Sequence, residues 1–382
     1  MSALVAVSSA VAASGPVLRV DLAAVAANAR LLARRATGEL MAVVKADGFG
    51  HGAVDIARTA LANGATWLGV TSLDEALALR AAGLRAPLLS WLNPVDGDFA
   101  AGVAADVDLA VPSREHLDAV VRAGGGARIH LHLDTGLARD GAEPSAWTGL
   151  CRAASAAQRN GAVQVVGVMG HLACADRPAD PANAAGRRRF AWAVATARAA
   201  GLRPVQRHLA ATSATLTDPR SHHTLCRVGA GLVGIDPSRS TALRPAMTLT
   251  APVVSVRGVR AGTPVGYGHT WTAPGSTRLA LLPLGYADGL PRVSSGRAEV
   301  LVRGQRRPVV GRISMDQAVV DLGPGSTVRP GESVTVFGPG DAGEPTVAEW
   351  AAWADTIEHE IVTGLGARIA RQVVGSTLTS VR

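Results

Sequence analysis

The sequence predicts an α/β protein, an N-terminal (β/α)8 TIM barrel followed by a C-terminal β-rich domain, on three observations. Between residues 40 and 234, eight short apolar runs alternate with longer Ala-, Leu- and Arg-rich stretches of helical period. Their hydrophobicity is largely continuous rather than alternating, as suits parallel strands buried on both faces. After Pro245 the texture changes to shorter β-type runs broken by Gly and Pro. A doubly wound open sheet built from the same units is the alternative.

Taken in order, residues 1–16 (MSALVAVSSAVAASGP) are small and mildly apolar, with no Lys or Arg before Arg19. A signal peptide needs a basic start, so a flexible tail is expected. The barrel is expected over 17–243, with its runs at 40–46, 66–71, 87–91, 107–111, 128–133, 165–170, 205–210 and 226–233. A Ser-, Arg- and Pro-rich connector at 240–246 opens a second domain over 244–382. Its β-type runs are LTAPVVSVRGV, STRLALLPL, AEVLVRG, RRPVVGRIS, DQAVVDLG and ESVTVFG. The end, from TVAEW to RQVVG, returns to helical period. No run of eighteen apolar residues occurs, so no membrane span and a cytoplasmic location are expected.

Composition narrows the function. With 382 residues and 48% hydrophobic content the chain can bury a large core, which excludes disorder. Cys151, Cys174 and Cys226 form no C-x-x-C pair, so neither a structural metal site nor a disulfide framework is expected. The charge of +8 is spread along the chain and aromatics are 3%, which argues against nucleic acid; the run Arg187–Arg189 reads as a solvated face.

One lysine stands among 38 basic residues. Arginine replaces lysine as a charge, but it cannot be deprotonated or condense with an aldehyde, so Lys45 points to a required primary amine. The bland alternative is a structural amine. The two tyrosines, Tyr267 and Tyr286, lie in the glycine-flanked segments VGYGHT and LGYADG. Barrel chemistry sits at the carboxyl ends of strands. Lys45, Asp134, Thr135, Arg139, His171, His208, Thr212, Arg227 and Gly229 all fall there. The segments AATSAT at 210–215 and RVGAG at 227–231, which includes Ala230, supply hydroxyls and glycines suited to a phosphate. An amine beside a phosphate cradle is what pyridoxal 5′-phosphate requires.

AVVKADGFGHG at 42–52, HLDTGLAR at 132–139, GVMGHLACAD at 167–176 and RHLAATSATL at 207–216 resemble motifs of the alanine racemase family. RVGAGLVGIDPS at 227–238, VGYGHTW at 265–271, LPLGYADGLPR at 282–292 and GRISMDQ at 311–317 continue the resemblance in the family's order. It covers residues 17 to about 375. It implies a pyridoxal phosphate enzyme of fold type III, a head-to-tail homodimer with shared sites, and racemisation of alanine by two opposed acid/base groups. Lys45 would act on the D-substrate and Tyr267, from the partner subunit, on the L-substrate. His171 and His208 would relay towards Arg227, which would face the pyridine nitrogen. Thr212, Gly229, Ala230 and His359 would hold the cofactor. Arg139 would serve cofactor and substrate carboxylate, with Met315, Asp316 and Tyr286 at the substrate end.

Four positions depart from the resembled pattern. Phe49 and His359 stand where phosphate-binding tyrosines are usual, Val233 replaces another tyrosine, and His132 replaces a lysine often carbamylated. These departures direct attention to substrate identity, with serine or another small amino acid as the alternative, and to cofactor affinity. A weakly active paralogue or a non-enzymatic pyridoxal phosphate carrier is a further alternative. Decarboxylases of related fold would need an acidic partner for the ring nitrogen and a cysteine in the second domain.

Overall fold

The computed structural model describes residues 15–375, so residues 1–14 of the expected tail lie outside the described residues. The chain divides into two compact units, one of residues 21–246 and the other of residues 17–20 with 247–374.

The first unit is the barrel. After β1 (Val17–Asp21) and α1 (Leu22–Arg35), the strands β2 (Glu39–Val43), β3 (Trp67–Val70), β4 (Leu88–Ser90) and β5 (Asp108–Val111) follow. They continue as β6 (Ala127–His132), β7 (Val163–Met169), β8 (Gln206–His208) and β9 (Leu225–Val228). All eight predicted runs are strands. They pair in parallel in the order β8-β7-β6-β5-β4-β3-β2-β9. No regular ladder joins β8 to β9; single bonds cross that seam, from Thr224 N–H to the Arg207 carbonyl at 3.1 Å and from Arg227 N–H to the Ala210 carbonyl at 3.0 Å. The sheet is therefore a nearly closed barrel, and the open-sheet alternative falls.

A five-residue turn, α2 (Lys45–Phe49), follows β2, and the outer helices begin with α3 (Ala53–Leu61) and α4 (Leu73–Ala81). Next come α5 (Phe99–Ala104), α6 (Arg114–Ala123), α7 (Pro144–Arg159), α8 (Pro181–Ala199) and α9 (Thr212–Thr217). Their starts are set locally: Asp21, Ser72, Asp98, Ser113 and Asp180 cap helices with side-chain oxygens. At the amino end of the barrel, buried Arg80 donates to the carbonyls of Ala105, Leu84 and Ala86 at 2.9 Å each and of Asp106 at 2.7 Å.

The second unit is β-rich, as expected. It holds β10 (Met247–Pro252), β11 (Ser255–Val259), β12 (Pro264–Val265), β13 (Trp271–Thr272) and β14 (Thr277–Leu282). Then come β15 (Glu299–Val302), β16 (Gln305–Val310), β17 (Ala318–Gly323), β18 (Ser333–Phe337), α10 (Val347–Trp353), α11 (Glu358–Thr363) and β19 (Ala370–Val374). Residues 17–20 pair antiparallel with 247–250. The last segment corrects the expectation of unbroken helix. Residues 370–374 form an exposed edge strand beside β1, because backbone pairing there outweighs a helical pattern with no face to bury. Among the described residues no helix is long and apolar enough to cross a membrane.

Candidate active site

The ladder between β2 and β9 sets Ala42 opposite Val228, so the chain leaving β2 towards Lys45 runs beside the chain leaving β9 towards Gly229 and Ala230. Lys45 is half-buried. Burial lowers the proton affinity of its amine below that of an ordinary lysine, and the Arg139 charge lowers it further, against an opposing pull from Glu75. Beyond Lys45 the backbone turns left-handed, with φ of 52° at Ala46, 52° at Asp47, 64° at Gly48 and 57° at Phe49. Side-chain-bearing residues disfavour this region by ~1–2 kcal/mol each, so outside contacts must hold it.

Glu75 supplies one of them. Its Oε1 accepts the Ala46 N–H at 2.6 Å, while Oε2 accepts the Thr71 N–H and hydroxyl at 3.0 and 3.1 Å. Asp47 supplies another by accepting the Ala53 N–H at 2.9 Å. Sequence reading missed Glu75, although a signal existed. Ser72 and Glu75 are spaced as a capping box, and Ser72 does accept the Glu75 N–H at 3.2 Å.

Opposite, the Thr212 hydroxyl accepts N–H groups from Gly229 at 3.4 Å and Gly231 at 3.2 Å. Ala230 opens the short turn 230–233, in which Val233 is buried. A β-carbon on Gly229 would stand 2.6 Å from Cε2 and Cζ of the Phe49 ring. The ring of Phe49, which is 7% exposed, thus lies against the cradle glycine. With its oxygen taken by these two amides, the Thr212 hydroxyl has its proton left to point outward, a donor open to an anion at this loop.

Arg227, on β9, is buried and bonds to the chain leaving β7 and β8. Its Nη1 donates to His208 Nδ1 and to the His208 carbonyl, both at 2.9 Å; its Nη2 donates to the Gly170 carbonyl at 2.7 Å and His171 Nδ1 at 3.3 Å. Burial pulls its guanidinium down to about 10, still charged at neutral pH. His171 is pushed down to about 3 by burial and then by the charges of Arg227, Arg139, His132 and Lys45, so it is a neutral imidazole at the centre of these groups. Burial, and then Arg227, push His208 down as well. Thr135 ties β6 to β7 by donating its hydroxyl to the His171 carbonyl at 2.5 Å.

Arg139 is exposed on a loop shaped by Asp134, whose Oδ1 accepts N–H groups from Gly136, Leu137 and Ala138 at 2.8, 2.9 and 3.2 Å. His132 is buried with Nδ1 3.3 Å from Asp140 Oδ2, and this close contact is the main reason the Asp140 carboxyl sits below its ordinary value.

In the second unit three motifs meet. Tyr267, 71% exposed, stands on a turn whose flanking Gly266 and Gly268 have φ of 72° and 71°. A β-carbon on Gly268 would come 2.9 Å from the Arg312 guanidinium, so the 311–317 segment backs this turn. The same segment accepts the Tyr286 N–H at the Ser314 carbonyl (3.0 Å) and the Ala287 N–H at the Met315 carbonyl (2.9 Å). Arg368, which carried no sequence signal, ties the cluster together by donating to Asp288 Oδ1 at 3.0 Å and Asp316 Oδ1 at 2.6 Å. His359 lies on α11 of this unit.

A barrel that gathers a half-buried amine, a buried guanidinium and a loop hydroxyl at the carboxyl ends of its strands has the layout of an enzyme active site. Residues 20–237 match the profile of the N-terminal domain of alanine racemase and residues 246–373 that of its C-terminal domain. The chain belongs to the alanine racemase family. It is 46% identical to an alanine racemase of Thermobifida fusca over 366 residues, 94% of this chain and 98% of that one. The solved alanine racemase of Streptomyces coelicolor A3(2) superposes with a TM-score of 0.92 at 46% identity, covering 96% and 99% of the two chains. That of Bartonella henselae, with covalently bound pyridoxal phosphate, superposes at 0.85 with 25% identity, covering 94% and 100%.

Proposed function

We propose that this chain is a pyridoxal 5′-phosphate-dependent isomerase that interconverts L- and D-alanine, working as a cytoplasmic homodimer. The observation that carries the proposal is the amine of Lys45, half-buried and held towards its neutral, nucleophilic form, on the chain that leaves β2 beside the Gly229–Gly231 loop after β9. The residues fit the cofactor. The Thr212 hydroxyl, whose oxygen already accepts the Gly229 and Gly231 amides, has its proton left to donate to a phosphate, and Ala230 and His359 would add to that end. Arg227, a donor bonded to imidazoles and carbonyls, suits a ring nitrogen that accepts.

When bound, the cofactor supplies the electron sink that makes an amino acid's Cα proton acidic. Racemisation needs that proton taken from one face and returned to the other. Lys45 Nζ serves one face, and an exposed phenol on a rigid turn, the partner subunit's Tyr267, serves the other. His171 accepts from Arg227 at Nδ1 and so keeps its proton on Nε2, a donor that would hold the phenolate oxygen. Arg227 keeps its own proton, which limits charge build-up at the ring nitrogen and so limits side reactions. Arg139 would hold the substrate carboxylate, with Met315, Asp316 and Tyr286 bounding the substrate end. In a bacterium the D-alanine formed would supply peptidoglycan precursors.

Purified protein is expected to carry a visible absorption that borohydride removes, and to exchange the α-hydrogen of L-alanine in deuterated water while D-alanine accumulates. Tyr267→Phe should keep the absorption and lose exchange. Absorption without exchange in the parent would overturn the racemase, and exchange with serine but not alanine would reassign its substrate.

A further inference from the structure

The interior of a parallel barrel is ordinarily filled by aliphatic side chains, yet here a line of polar groups crosses it. Asp108 on β5, His130 on β6, His208 on β8 and Arg227 on β9 are all buried, the two imidazoles at 0% exposure. Asp108 Oδ2 lies 3.1 Å from His130 Nε2, and His130 Nδ1 lies 2.8 Å from His208 Nε2. His208 Nδ1 lies 2.9 Å from Arg227 Nη1. The barrel wall is shaped to admit the line. A β-carbon on Gly167 of β7 would stand 2.0 Å from His130 Nδ1, and the β6–β7 register shifts between Ile129 and His130.

Only one arrangement of protons satisfies all three bonds. Guanidinium nitrogens donate and never accept, so His208 Nδ1 is the acceptor and its proton sits on Nε2. That N–H points at His130 Nδ1, which must therefore accept, leaving the His130 proton on Nε2. This last N–H meets Asp108 Oδ2, while Oδ1 of the same side chain accepts Arg128 Nε at 2.6 Å. Every donor points from Arg227 towards Asp108. A cation and an anion are joined through two neutral imidazoles, each frozen in one tautomer.

We propose that Asp108 and His130 are positioning residues for Arg227: through the fixed tautomers they hold its guanidinium charged and with one edge presented to the ring nitrogen. The catalytic consequence rests on the function proposed above; the tautomer pattern does not.

Asp108→Asn tests both parts. Beside Arg128, the amide oxygen must face the cation, so the amide N–H2 turns to His130. His130 then has to move its proton to Nδ1, where it confronts the His208 N–H, and the mismatch passes along to Arg227. With 15N-histidine labelling of the full-length protein, NMR of the parent should show both His130 and His208 protonated on Nε2. In Asp108→Asn at least one should appear protonated on Nδ1, while His171 keeps its Nε2 proton.

In the loaded enzyme kcat should fall by about tenfold or more, the scale of one lost buried charge-assisted bond. KM for alanine, which reports the substrate end, should change less than twofold. Should Asp108→Asn fail to fold, the parent spectrum decides alone: an Nδ1 proton on His208, or a doubly protonated His130, overturns the proposal. Lowered stability with parent-like tautomers and parent-like kcat would also overturn it, since the pair would then be merely structural. If no pyridoxal phosphate binds but the tautomers match, the proposed function fails and the wiring stands.

Discussion

Phe49→Tyr gives the sharpest test of the anion cradle, because it adds one oxygen at a known carbon. The tyrosine hydroxyl attaches at Cζ, and Cζ of Phe49 is one of the two ring atoms 2.6 Å from where a Gly229 β-carbon would stand. The new oxygen would thus emerge over the Gly229 peptide, where a phosphate is expected to bind. A hydrogen bond to a charged acceptor is worth ~1.5–3 kcal/mol. At 1.4 kcal/mol per decade, the cofactor Kd should tighten by about ten- to 150-fold. In the unloaded protein the same hydroxyl is buried without an anion, a cost of ~1–3 kcal/mol. The variant should therefore melt below the parent when stripped of cofactor and above it when saturated. Titrating stripped protein with pyridoxal phosphate by visible absorbance, beside paired melting curves, reads both signs. An unchanged or weaker Kd, with both melting temperatures lowered together, would refute the placement of the phosphate against this ring.

Three further outcomes follow from the geometry. Gly229→Ala drives a methyl into the Phe49 ring, an overpacking cost of ~1–3 kcal/mol, and should weaken cofactor binding; Phe49→Ala in the same chain should recover part of the loss, and strict additivity in an absorbance titration would contradict it. Arg80→Ala strands four backbone carbonyls at the amino end of the barrel and should cost ~3–5 kcal/mol in urea unfolding without altering the site; a loss under ~1 kcal/mol would show those bonds to be dispensable. Lys45 reacts as the free amine, so the rate of cofactor capture should rise with pH and level off below the range of an ordinary lysine. Glu75 raises that amine's proton affinity, so Glu75→Gln should move the profile to still lower pH, and a shift upward in stopped-flow absorbance would reverse the assigned sign.

The barrel was legible because buried parallel strands need continuous apolar runs, and each of the eight runs is a strand. What pairs across long sequence distances was not. Nothing local in VLRVD says that residues 17–20 join a sheet with 247–250, since that register depends on a surface built more than two hundred residues later. The left-handed turn after Lys45 was also hidden. Only Gly48 in ADGF announces positive φ, while Ala46, Asp47 and Phe49 adopt it because Glu75 and Asp47 hold the backbone there. The two-residue period of RIHLHL set His130 and His132 on one side of β6, but the segment read as apolar, so the inward imidazole at 130 went unnoticed.

Charge explains why the site needs so few parts. The groups that act on Lys45 and His171 are mostly cationic, Arg139 and Arg227 foremost, and the acids nearby are already engaged: Asp134 by three backbone N–H groups, Asp140 by His132 and Glu75 by Ala46 and Thr71. Such a set of charges repels a further proton, which keeps the lysine amine reactive and His171 and His208 neutral. The same excess attracts what the reaction brings, a phosphate and then a substrate carboxylate, each of which offsets cationic charge once bound. Replacing Arg139 by Gln should therefore do one thing more than the loss of a mere carboxylate clamp would. KM for alanine should rise, and the pH at which Lys45 captures cofactor should rise with it, because the charge that depresses the amine alongside burial is gone. A change in KM with an unmoved capture profile would separate the two roles and leave burial alone as the cause of the lysine's reactivity.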